Sequence, residues 1–98
     1  MKYICITADW NDADYICNLE TISDATLELI KPVIKAIKEN KGYNNWEDAH
    51  EKYVESKLVS EKALKTFAYL VPSGYEGAEV HTIESVEILD VARKTTLL

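Results

Sequence analysis

The chain reads as an α+β fold: a small, mostly antiparallel sheet, made of an N-terminal hairpin and a C-terminal strand, with two to four helices packed on one face. Three observations predict it. The run Lys2 to Ala8 alternates apolar and polar residues, and so does the late run Val80 to Val91; a period of two marks a half-buried strand. Between them, from about Asp24 to Phe67, apolar residues recur at helical spacing. At 98 residues the chain is expected to be one domain over 1–98, able to bury one modest core without staples.

The first strand puts Tyr3, Cys5 and Thr7 on one face and Ile4, Ile6 and Ala8 on the other. Asp9 to Asp14 is then a turn by composition, rich in side chains that bond their own backbone. Tyr15 to Ile22 returns as the second strand of a hairpin. Ser23 or Asp24 offers an oxygen to the orphan N–H groups of a helix. That helix places Leu27, Ile30, Val33, Ile34 and Ile37 on one face and Lys31, Lys35 and Lys38 on the opposite one. Pro32 removes the bond to the Glu28 carbonyl and is expected to kink or divide the helix. Asn40-Lys41-Gly42 is a stop signal.

A second helix is expected from Asn44 or Asn45 to about Lys57, with Trp46, Ala49, Tyr53 and Val54 as its apolar stripe. Ser60 caps a third, with Leu64, Phe67, Ala68 and Val71 facing inward. Pro72 to Gly77 forms the longest loop before the final strand. If that strand lies at an edge, it offers backbone bonds to a second copy, with Glu84 and Glu87 on opposite faces as a partial guard.

Composition narrows the function. The net charge of −6 and a single arginine among 11 basic residues weigh against direct binding to nucleic acid, which needs a basic stripe to displace counterions. No apolar run approaches the ~18 residues that span a bilayer, and the opening residues lack the apolar stretch of a secretory signal. A cytoplasmic location follows as the expectation, with Cys5 and Cys17 reduced there as small hydrophobes. A hairpin also brings the two within reach of each other.

No catalytic or metal constellation is complete. Asp9, Asn11, Asp12 and Asp14 resemble the start of a calcium loop, but Ala13 and Asp14 stand where a ligand and a glycine are required. His81 follows a glycine-containing loop, where an imidazole suits proton transfer. His50 supplies no second histidine motif for phosphoester chemistry, and neither cysteine has a cation or helix N-terminus beside it. No cofactor and no metal is expected.

Two features point to binding instead. Trp10, Tyr43, Trp46 and Tyr75 lie in turns or near element ends, and such rings bury large area with few rotors. Glu47, Asp48, Glu51 and Glu55 recur at helical spacing as a negative ridge, diluted by Lys52 and Lys57. The sequence therefore reads as a small acidic, non-catalytic protein that binds another protein, with homodimerisation through a strand edge as a second mode. A narrower version is an inhibitor that mimics nucleic acid toward a processing enzyme. The alternative is a small enzyme or ligand binder with a pocket around His81, Tyr75 and an acid of the Asp9–Asp14 turn.

Overall fold

The computed structural model describes residues 2–10, 15–40, 42–71, 80–90 and 93–98. β1 (Lys2–Trp10) and β2 (Tyr15–Ile22) form the expected hairpin, in register from Lys2 opposite Ile22 to Asp9 opposite Tyr15. The first strand thus continues through Asp9 and Trp10, which composition had placed in the turn. β3 (Val80–Asp90) pairs antiparallel with the other side of β1, and β4 (Arg93–Thr96) with β3. The four strands make one antiparallel sheet in the order β2-β1-β3-β4, and the helices lie between β2 and β3 in the chain. The fold is α+β.

Two expectations about the end of the chain change. β4 has no apolar alternation to announce it: all four of its residues are exposed, as suits a short polar edge strand. Its presence puts β3 inside the sheet, so the long final strand is not an edge; β2 and β4 hold the outer positions. Beyond β4 the chain stays docked, Leu97 N–H donating to the Val86 carbonyl at 2.8 Å.

The sheet has one buried face. Ile4, Ile6 and Ala8 on β1 and Ile83, Val86 and Ile88 on β3 are buried and form one core with the helices. The spacing 88, 86, 83 breaks the period of two, and the register shows why. Ser85 pairs with Thr7 and Ile83 with Ala8, so Glu84 is an extra residue, a β-bulge. Without the bulge, the parity set by Ile88 and Val86 would turn Glu84 into the core and Ile83 out. With it Ile83 is buried and Glu84 exposed. Glu84 and Glu87 therefore do not alternate across the sheet as simple spacing suggested. A second shift, between Asp9 and Trp10, leaves His81 as the extra residue.

α1 (Asp24–Asn40) begins as expected: Ser23 Oγ accepts from Thr26 N–H at 3.1 Å. Leu27, Ile30, Val33, Ile34 and Ile37 are all buried, each worth roughly 1.5–3 kcal/mol. Of the two expected effects, division does not occur: the helix runs on through Pro32. Pro32 and Glu28 are both exposed, so water can satisfy the carbonyl that loses its partner. At the helix end Gly42 has φ 129, a conformation that strains any side chain, and its N–H donates to the Ile37 carbonyl at 3.1 Å.

The second helix differs most from expectation. α2 (Trp46–Ala49), capped by Asn45 Oδ1 accepting from Asp48 N–H at 2.8 Å, passes into a π-helical turn over His50–Glu55. Tertiary anchors hold this wide turn. Tyr53 is fully buried and its hydroxyl donates to the Gly42 carbonyl at 2.5 Å, while His50 Nε2 meets Glu61 Oε1 at 3.2 Å. Lys57, at φ 66, follows it, and the N–H groups of Leu58 and Val59 close its end on the Tyr53 carbonyl, each at 2.9 Å. α3 (Glu61–Leu70) starts at the expected cap, Ser60 Oγ accepting from Ala63 N–H at 3.1 Å, and buries Leu64 and Phe67.

Opposite the core, the sheet presents Tyr3, Cys5 and Thr7 with their cross-strand neighbours Leu19, Thr21, Ser85, Glu87, Leu89, Lys94 and Thr96. Every one of these is exposed or half-exposed. No described helix covers this face.

Candidate functional site

Three of the four acids expected to form a ridge are exposed, and the local sequence explains why. Ala49 and Tyr53 turn inward, which leaves Glu47, Glu51 and Glu55 exposed on the outside of α2 and the π-helical turn. Asp48 belongs to it only in part. Its Oδ2 lies 3.2 Å from Lys52 Nζ, and its side chain is 35% exposed. Among the described residues the other three carboxylates, spread over about 12 Å of helix, have no ion-pair partner. Trp46 stands half-buried at the start of the ridge, its ring 5.5 Å from that of His50. The His50–Glu61 pair ties this end to α3, so the ridge sits on an anchored segment.

The aromatic expectation divides. Trp46 stays at the surface, but Tyr43 does not: it is 5% exposed and packs edge-on against Phe67 with ring centroids 5.9 Å apart. Its position after the helix stop suggested exposure; in fact the Gly42 turn folds it back into the core. Burial raises the hydroxyl pKa of Tyr43, and burial together with the Asp48 charge raises that of Tyr53. Tyr75, Asn11, Asp12, Asp14 and the loop Pro72–Gly77 lie outside the described residues, as do the side chains of Asp9, Trp10 and His81. The alternative pocket built on His81, Tyr75 and an acidic turn residue therefore lies outside them too.

Cys5 overturns the expectation of reduced cysteines: it is disulfide-bonded. The one other cysteine of the chain is Cys17, whose backbone on β2 pairs with Thr7, the next outward position of β1 after Cys5.

Two depressions mark the described surface. A cleft of about 240 Å³ at the end of the sheet has Leu27, Ile88 and Leu97 among its apolar lining, with Lys2, Lys31, Asp90 and Arg93 around them. Both of its lysines are paired. Lys2 Nζ lies 2.7 Å from Asp24, a hydrogen-bonded pair that raises the lysine pKa and lowers the carboxyl's, and Lys31 Nζ lies 2.8 Å from Glu28. The other is an open groove of about 380 Å³ beside Tyr69, Leu70 and Lys65. Tyr69, 87% exposed, is a surface aromatic that sequence reasoning missed. Its signal was present: Lys62, Lys65, Thr66 and Tyr69 share one helical face, opposite Leu64 and Phe67.

Among the described residues no group of three or more His, Cys, Asp or Glu side chains is placed to hold a metal ion, and no helix is long and apolar enough to cross a membrane. Neither a known protein family, nor a curated protein, nor a solved structure matches this chain.

Proposed function

We propose that the protein acts by binding another protein, through the exposed carboxylates of Glu47, Glu51 and Glu55 and the neighbouring Trp46 ring. The observation that carries the proposal is the ridge itself: three exposed acids in a row, unpaired among the described residues, beside a half-exposed indole, on a segment anchored by Tyr53 and by the His50–Glu61 pair. Charge of one sign steers encounter with the opposite sign, and a large rigid ring supplies the contact that persists after docking. The partner surface it suits is basic.

Spacing ranks the narrower versions. The ridge carries one carboxylate about every 6 Å, against one phosphate per 3.4 Å along a DNA strand. It supplies roughly half the charge density of a single strand, and Asp48 is already paired with Lys52. A basic protein patch therefore suits it better than a groove shaped for duplex nucleic acid, and inhibition by nucleic-acid mimicry is the more demanding version.

The cytoplasm remains the location the composition favours, yet there the thiol pool would keep Cys5 reduced. Thiol labelling in freshly lysed source cells decides: blocked Cys5 moves the protein to an oxidising compartment, and labelled Cys5 keeps it in the cytoplasm.

Capture of the tagged protein from source lysate at low and moderate salt, read by mass spectrometry, tests the binding reading. A stoichiometric partner with a basic surface, retained at low salt and depleted at moderate salt, supports the ridge. A partner indifferent to salt removes the ridge as the main contact.

A further inference from the structure

We propose that the sheet face that no described helix covers is a self-association surface whose occupant is a second copy of this chain, packed sheet to sheet with both helical layers outward. A sheet face meant for water alternates apolar inside with polar outside. Here the outward positions include Tyr3, 39% exposed and directly opposite Leu89 on β3, and Leu19, 55% exposed and directly opposite Cys5 on β1. Cys5 is half-exposed near the middle of the face, and its sulfur is already consumed in a disulfide, so it brings no ionisable thiol.

Charge argues for a copy of the same chain. Each protein carries −6, and two such molecules repel along most of their surfaces. On this face, among the described side chains, Glu87 and Lys94 neutralise one another at 2.9 Å, and Glu84, at the bulge near the middle of β3, is the remaining acid. The exposed acids of α1, α2, the π-helical turn and α3 lie on the opposite layer. The near-neutral face is where two copies meet at least electrostatic cost.

Area sets the strength. The strands together present roughly 500 Å² per copy, at ~3.3 Å per residue and ~4.8 Å between strands. A face-to-face pair buries about 1,000 Å², the lower bound for a specific interface and well below the ~1,600 Å² of a standard one. An interface at this lower bound belongs with weak, transient associations, so the dimer forms only at high concentration. This differs from pairing at a strand edge, because Tyr3 and Leu89 stand on the two inner strands.

Sedimentation equilibrium from about 1 to 500 μM tests it. The wild type is expected to pass from monomer to dimer across that range, with Tyr3→Asp and Leu89→Asp each staying monomeric and keeping the wild-type circular dichroism. On the wild type itself, concentration-dependent methyl shifts in NMR are expected at Leu19 and Leu89. Monomer at every concentration overturns the proposal. So does a dimer that survives in both variants, which assigns association to the β2 or β4 edge, and so do shifts centred on helical residues.

Discussion

Removal of Glu84 takes away the residue that the β1–β3 register steps over, whereas removal of Glu87 takes away one that is paired, opposite Cys5. In the first case Ser85 stays opposite Thr7, Ile83 stays opposite Ala8, and both apolar positions keep facing the core. The cost is the loss of local twist and of the contacts of one exposed side chain, below about 1 kcal/mol. In the second case the strand must slip by one residue between Ile88 and the bulge. The bulge absorbs the slip beyond that point, but Val86 turns out and Ser85 turns in. Val86 is fully buried, so its exposure forfeits about 1.5–3 kcal/mol, and a buried serine hydroxyl without a partner costs about 1–3 kcal/mol more. The predicted difference between the two deletions is thus about 1.5–6 kcal/mol, a large share of the 5–15 kcal/mol typical of a domain. Urea denaturation followed by circular dichroism measures both. Equal losses, or a greater loss for the Glu84 deletion, would refute the assignment of the bulge.

Replacing Pro32 by Ala restores a backbone donor within an unbroken helix and is expected to raise stability by about 1–3 kcal/mol, read as a higher urea midpoint at constant slope. Cys5→Ser, or reduction with dithiothreitol, opens a loop of about a dozen residues and is expected to cost about 3 kcal/mol; an unchanged melting temperature on reduction would count against the disulfide. Tyr43 and Tyr53 have pKa values raised above the ordinary 10.0 by burial, so folding favours their neutral forms. Their contribution to stability is complete below the unfolded-state pKa and is lost as pH rises through the folded values. Tyrosinate absorbance and circular dichroism, followed together, are expected to change in concert above about pH 10.

Features set by local chemistry were legible in the sequence. The alternation of β1, the stripe from Leu27 to Ile37, and the caps Ser23 and Ser60 each depend on neighbours a few residues away, and each appears where expected. What escaped depends on distant partners. The π-helical turn over His50–Glu55 is written in residues that favour an ordinary α-helix, and its anchors are Gly42 and Glu61. The bulge at Glu84 is visible only once β1 supplies the register. β4 is held by backbone pairing to β3 and has no side-chain pattern. At the candidate site the exposed acids followed from helical spacing alone. The burial of Tyr43 did not, because it depends on the turn at Gly42 and on the Phe67 ring.

The measurement that tests the central claim most directly is calorimetric titration of the captured partner against the wild type and against a Glu47→Lys/Glu51→Lys/Glu55→Lys variant with wild-type circular dichroism. Three exposed charges reversed together are expected to weaken binding about 100-fold, roughly 1 kcal/mol per position. An affinity within about twofold of the wild type would contradict the acidic ridge as the contact surface.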